Sequence, residues 1–144
     1  MENTTYSFLD VSFTISHGLL GQKSVVGQGI GKINIAYSDN LTDSELGADE
    51  SVMITKVNSS RGTVSLQVLQ TSSVNKWLIN AVNTLRNADA SVWAQMSIVI
   101  SELFDNGLTV TAVNCAPVKR ADREDAQKGG YVTWEFFSPH ITEY

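Results

Sequence analysis

Gly62-Thr63-Val64-Ser65-Leu66-Gln67-Val68-Leu69-Gln70-Thr71-Ser72-Ser73-Val74-Asn75 changes its period part-way along. Val64, Leu66 and Val68 alternate with Thr63, Ser65 and Gln67, the two-residue repeat of a half-buried strand at 63–70. Beyond it Val74, Trp77, Leu78, Ala81, Val82 and Leu85 recur at spacings of three and four, so a helix is expected at about 73–87. Ser72 or Ser73 is placed to cap its start, and Arg86 to face the negative end of its dipole. Asn75, Lys76, Asn80, Asn83 and Arg86 form its polar face, and Trp77 reads as core rather than as a ligand platform.

Working outward, alternation continues to dominate. The segment 6–15 carries Tyr6 and Phe8, then Val11, Phe13 and Ile15, with the phase slipping at Leu9-Asp10, which predicts a bulged strand. Further strands are expected at 32–37, 52–57, 94–102, 109–114 and 131–137, bounded mostly by turn-forming Gly, Asn, Asp and Ser. Asp105-Asn106-Gly107 tolerates positive φ and predicts a hairpin between 94–102 and 109–114. The fold class is therefore mainly β, a sandwich or barrel of about seven strands with one flanking helix. Two stretches read as long loops: the acidic 38–51, and 119–130, in which charges of both signs precede a glycine pair. No internal repeat divides the chain, so residues 1–144 are expected to be one domain.

The 144 residues suffice for a single core that buries roughly 68–70% of the unfolded surface. Hydrophobic residues make up 42% and charged residues 17%, a composition for a globular chain with a lightly charged surface. A net charge of −5 argues against an electrostatic grip on phosphates. Cys115 is the single cysteine, which excludes an intrachain disulfide and a cysteine zinc site. Met1-Glu2-Asn3 opens no basic-then-apolar leader, and no run of about 18 apolar residues is present, so neither export nor membrane insertion is expected.

Catalytic patterns are weak. His17 and His140 both fall near strand ends and read as satisfied or exposed side chains. Cys115 reads as a small hydrophobe. Gly27-Gln28-Gly29-Ile30-Gly31 leads into a strand rather than a helix, so it reads as a strand start or bulge and not a phosphate loop. Asp39, Asp43, Glu45, Asp49 and Glu50 lack the spacing of a calcium hand. Asp10 and Glu135 read as strand-surface charges, and the cluster from Lys119 to Lys128 as a solvated or inter-subunit salt-bridging segment without aromatic residues to stack bases. No catalytic, metal or cofactor site is expected.

Thr5-Tyr6-Ser7-Phe8-Leu9-Asp10-Val11, Gly47-Ala48-Asp49, the block Gly62 to Asn75, and Gly129-Gly130-Tyr131-Val132-Thr133-Trp134-Glu135-Phe136 together resemble the tail-tube proteins of contractile-tailed bacteriophages. The resemblance implies a structural subunit, not an enzyme, forming hexameric rings that stack into a tube inside a sheath and conduct DNA during ejection. It implies as partners further copies of the chain, sheath protein, baseplate or initiator and tail-terminator proteins, with tape-measure protein and genomic DNA in the lumen. The expected location is the virion, after synthesis and assembly in the host cytoplasm. The fold is shared with type VI secretion tubes, and a secretion or contractile bacteriocin tube is the alternative. The family's long loop makes 38–51 the expected inter-ring stacking arm, carried by Asp39, Asn40, Leu41, Asp43, Glu45, Leu46, Asp49 and Glu50. Unpaired strand edges that close by ring symmetry suit such an assembly, and a hexamer would multiply the charge of −5 sixfold, favouring an acidic lumen. A more distant alternative is a ligand-binding β-barrel lined by Trp93, Trp134, Phe136 and Phe137, and a hydrolase is disfavoured by the missing nucleophile–base pair.

Overall fold

The computed structural model describes residues 3–27, 29–104 and 106–144. Met1, Glu2, Gln28 and Asp105 lie outside the described residues, and with them the middle of the glycine-rich segment and the first residue of the 105–107 turn. The strands are β1 (Val11–His17), β2 (Gly21–Val26), β3 (Ile30–Tyr37), β4 (Thr42–Leu46), β5 (Val52–Lys56) and β6 (Gly62–Leu69), then β7 (Met96–Glu102), β8 (Thr109–Lys119), β9 (Tyr131–Ser138) and β10 (His140–Glu143). The helix α1 (Ser73–Arg86) follows β6.

All named strand pairs are antiparallel, in the order β2-β1-β7-β8-β9-β6-β3, with β10 also on β8 and β4-β5 standing apart. The long β8 makes this a sandwich rather than a closed barrel. Its first half pairs with β7 and β10, and its second half, from Ala116 to Lys119, pairs with β9. Asn114 sits between the halves at φ 53°, a left-handed conformation that asparagine tolerates, and the β7 register shifts there. At the neighbouring corner, β9 passes into β10 through Ser138, fully buried. Its hydroxyl lies 2.8 Å from the Val113 carbonyl and accepts from the His140 amide at 3.2 Å. β2 and β3 end the ladder without pairing to each other, and α1 contacts both β2 and β6.

Alternating residues fill the core: Phe13 and Ile15 from β1, Leu66 from β6, Ile98 from β7, Trp134 and Phe136 from β9. The helix adds Val74, Leu78, Val82 and Leu85, each contributing about 1.5–3 kcal/mol by leaving water. Ser72 caps it by accepting from the Asn75 amide at 3.2 Å. Gly62 sits where β3 and β6 approach closely, since a Cβ there would lie 2.5 Å from the Ala36 carbonyl oxygen.

Several expectations change. The slip at Leu9-Asp10 is a 3₁₀ turn over Phe8–Asp10, closed by the Asp10 amide donating to the Ser7 carbonyl, and not a bulge within a strand from Tyr6. β2, β4 and β10 were not legible, and β8 runs five residues beyond Asn114. The segment 38–51 is no loop throughout, because β4 pairs with β5 from Thr42↔Lys56 to Leu46↔Val52. Trp77, half-buried, packs against the core as expected, whereas Asn75, assigned to the polar face, is buried. The β7–β8 hairpin forms as expected, with Asn106 at φ 61°. Gly27 and Gly29 take positive φ before β3, and the ladder shifts register between Ile30 and Lys32.

Candidate functional site

The β4–β5 hairpin leaves the body between β3 and β6, and every residue of both strands is exposed. Its root is tied down. The Ser38 amide donates to the Arg61 carbonyl at 3.0 Å and the Val57 amide to the Leu41 carbonyl at 2.9 Å. Asp39 accepts from Ser59 Oγ at 2.6 Å and from Arg61 Nε and Nη2 at 2.7 and 3.2 Å, a forked contact. The hydrogen bond from Arg61, with a smaller one from Ser59, holds the Asp39 carboxyl down at about 2. At the tip the Gly47 amide donates to the Ser51 carbonyl, Asp49 Oδ1 accepts from the Ser51 amide, and Glu50 takes φ 70°. The bonds from Ser51 lower the Asp49 carboxyl pKa.

Register divides the hairpin into two faces. Ser44, Leu46, Val52 and Ile54 share one; Asp43, Glu45, Met53 and Thr55 share the other. Leu46 is 74% exposed and Ile54 72%, so an apolar strip is held open to water. A lone two-stranded ribbon is marginally stable in water, and contiguous apolar surface marks a contact site. The structure thus brings Asp43, Glu45, Leu46, Asp49 and Glu50 onto one projecting arm with exposed Asn40 and Leu41 at its start, while Asp39 serves as its anchor. The apolar strip of Val52 and Ile54 was missed, because in sequence 52–57 reads as one more strand of the body, with nothing to mark both its faces as open to water.

The two broad sheet faces are nearly uncharged. Outward residues on β1, β2 and β7 are Ser12, Thr14, Ser16, Gln22, Ser24, Ser97 and Ser101 with Val26 and Val99, since Phe13, Ile15, Ile98 and Ile100 point inward. The outer face of β3, β6 and β9 presents Asn34, Ser65, Gln67, Thr133 and Phe137 with Lys32 and Glu135, and Lys119 of β8 pairs beside Glu135.

The residues weighed for chemistry do not assemble a catalytic centre. His17 is buried, its Nδ1 accepting from the Leu19 amide at 3.0 Å and its Nε2 donating to the Val92 carbonyl at 2.7 Å, so both nitrogens are engaged structurally. His140 Nδ1 meets the Ser60 hydroxyl, but its other nitrogen faces Thr142 Oγ1 rather than a carboxylate that would orient it as a base. Cys115 is fully buried, and loss of solvent pushes its thiol up to about 11. Asp10 is exposed and Glu135 faces outward. Among the described residues no group of His, Cys, Asp or Glu is placed to hold a metal ion. Trp134 and Phe136 are core, Phe137 points away from them and Trp93 is half-buried, so these four do not line a common cavity. A groove of about 610 Å³ lies instead between the start of α1 and residues 120–123. Among the described residues no helix is long and apolar enough to cross a membrane.

A family model described as bacteriophage PhiTE tail tube protein matches residues 3–144. The chain belongs to this phage tail tube family. Membership makes it a structural component of a phage tail and not an enzyme. A search of curated proteins gave no match. Solved structures share the fold at low identity. A chain of the anti-feeding prophage baseplate, from a six-fold symmetrised cryo-EM structure, superposes with a TM-score of 0.62 at 14% identity, covering 100% of this chain and 97% of that one. A chain of the tube-terminating cap of the same particle gives 0.61 at 12%, covering 100% and 93%. One from the sheath/tube terminator of the PVC extracellular contractile injection system gives 0.60 at 12%, covering 99% and 98%. This tail tube chain thus has the fold of chains in contractile injection systems.

Proposed function

We propose that the tail tube chain acts as a single 1–144 domain that forms hexameric rings, stacked into a tube whose lumen conducts DNA during ejection. The observation that supports assembly most directly is the β4–β5 hairpin. It spreads Leu46, Val52 and Ile54 in water on a ribbon that the body does not cover. In this reading the hairpin, with Asn40, Leu41, Asp43, Glu45, Leu46, Asp49 and Glu50, is the inter-ring stacking arm. The free edges of β2 and β3 are lateral contacts closed by ring symmetry. The tube is enclosed by sheath, begins on a baseplate or initiator, ends at a terminator and holds tape-measure protein before DNA passes. It is made and assembled in the host cytoplasm and carried in the virion.

The placement of charge refines how DNA slips through. Five of the 15 acidic residues lie on the arm, whereas the sheet faces offer mostly Ser, Thr, Asn and Gln with few cations. A wall of mostly neutral side chains lacks the dense Lys and Arg array through which proteins release counterions and hold phosphates. Weak adhesion then follows from missing cations more than from an acidic lining.

Electron microscopy of the purified protein across a concentration series, with and without purified baseplates as nuclei, tests the reading. Rings or filaments with an axial channel are expected. Monomers at every concentration, seeded or not, overturn it. The tube of an extracellular contractile injection system is the second reading, favoured by the fold likeness to the AFP and PVC chains. The presence or absence of DNA in native particles separates the two.

A further inference from the structure

The arm and the groove beside α1 lie at opposite ends of one strand. β6 starts at Gly62, paired with Tyr37 beside the root of the hairpin, and ends at Leu69, paired with Tyr131. Just beyond that far end Gln70, Ser72 and Val132 line the groove. Eight residues at about 3.3 Å each put roughly 26 Å of strand between the two features. A projection at one end and a recess at the other end of the same subunit make a heterologous pair, which repeats head to tail without closing.

Their chemistry is complementary. The groove is lined by the cations Lys76, Arg120 and Arg123 and by the carboxylate Asp122, over an apolar floor that includes Ile79 and Trp134. At its rim Asp125 accepts from Arg123 Nε at 3.0 Å and from Gln70 Nε2 at 3.1 Å, so three cations face two carboxylates and the balance stays positive. Arg120 is braced by a 2.6 Å bond from its Nη2 to Asn83 Oδ1 on α1, so one wall is held at fixed spacing from the helix. The arm carries Asp43, Glu45, Asp49 and Glu50 against Lys56, with Leu46 and Val52 at its tip. Like charges across such a contact would repel, and the observed signs oppose.

We infer that the β4–β5 arm of one copy seats its tip in the groove between α1 and residues 120–123 of a copy in the adjacent ring. The inference rests on the stacked-ring reading and names the receiving surface for its arm. The carboxylates of Glu45 and Glu50 meet Lys76 and Arg123, and Leu46 and Val52 cover the apolar floor.

Charge exchange in the full-length protein tests it. One variant carries Glu45→Lys with Glu50→Lys, a second carries Lys76→Glu with Arg123→Glu, and a third carries all four. Circular dichroism and thermal melts confirm folding, while microscopy and sedimentation count rings and tubes. Each two-site variant is expected to keep rings and lose tubes, and the four-site variant to regain tubes. Tubes unaffected by either two-site variant, or not regained by the four-site one, overturn the inference. Wild-type protein that forms neither rings nor tubes overturns the stacked-ring reading instead. A Glu50→Cys, Lys76→Cys pair provides an independent readout, since native Cys115 is buried. Oxidation is expected to give a ladder of linked subunits in tubes and none in isolated rings. Linkage within isolated rings places the arm on a lateral neighbour and overturns the inference.

Discussion

The indole nitrogen of Trp134 on β9 donates to Asn75 Oδ1 on α1 at 2.9 Å, inside the core. Asn75 is itself held by its Nδ2 donating to the Gln70 carbonyl at 2.9 Å, so one amide links the helix, the end of β6 and the centre of β9. This joint sets the helix against the sheet.

Replacing Asn75 with alanine leaves the Trp134 N–H and the Gln70 carbonyl without these partners. A buried polar group that loses its partner costs about 1–3 kcal/mol. Asn75→Ala is therefore expected to destabilise the fold by roughly 2–4 kcal/mol. Urea unfolding followed by tryptophan fluorescence measures it. Combined with Asn75→Ala, Trp134→Phe, which removes the donor and leaves a cavity of its own, should cost less than the sum of the two single changes, the signature of a coupled pair.

On the arm the expected result is opposite. Val52→Ser and Ile54→Ser alter side chains that are 56% and 72% exposed, so monomer stability should stay within about 0.5 kcal/mol. Assembly should fail, because the apolar strip is what a neighbouring copy covers. Thermal melts and sedimentation on the same samples separate the two effects.

The contact of Asp39 with Arg61 predicts acid sensitivity at the root of the arm. The Arg61 hydrogen bond lowers the carboxyl from 3.8 to about 2. With a depressed folded value, the stabilising contact is complete above about pH 4 and is lost as pH falls through about 2. Carboxyl NMR of Asp39 should show this low midpoint, and Arg61→Gln should raise it toward 3.8.

Cys115 should resist alkylation. Burial raises its thiol from 9.0 to about 11, so the neutral form favours the fold below about pH 9 and that preference fades as pH rises through 11. At pH 8 the folded protein is expected to react with iodoacetamide only as fast as it opens, whereas protein in urea should react at the rate of a free thiol. Mass spectrometry of timed samples reads the difference.

The module from Gly62 to Arg86 was readable without coordinates because each of its elements is buried on one side, and one-sided burial writes its period into neighbouring residues. β1, β7 and β9 were legible for the same reason, as was the Asn106-Gly107 turn. β2 and β4 carry little of that signal. β2 lies at a sheet edge, and β4 has both faces in water and is a strand only because its backbone pairs with β5.

The amino-acid order by itself determined a mainly β chain with one capped helix and an acidic segment suited to reaching outward. Local periodicity, capping chemistry and turn residues need no distant partner to act. Tertiary structure alone decided that Asn75 turns inward to meet Trp134, 59 residues away, and that Asp39 is the anchor of the arm rather than part of its tip. It also decided that an acidic projection and a basic groove occupy opposite ends of β6. Those relations are set by strand pairings between segments far apart in the chain, and such pairings leave no repeat in the residues that make them.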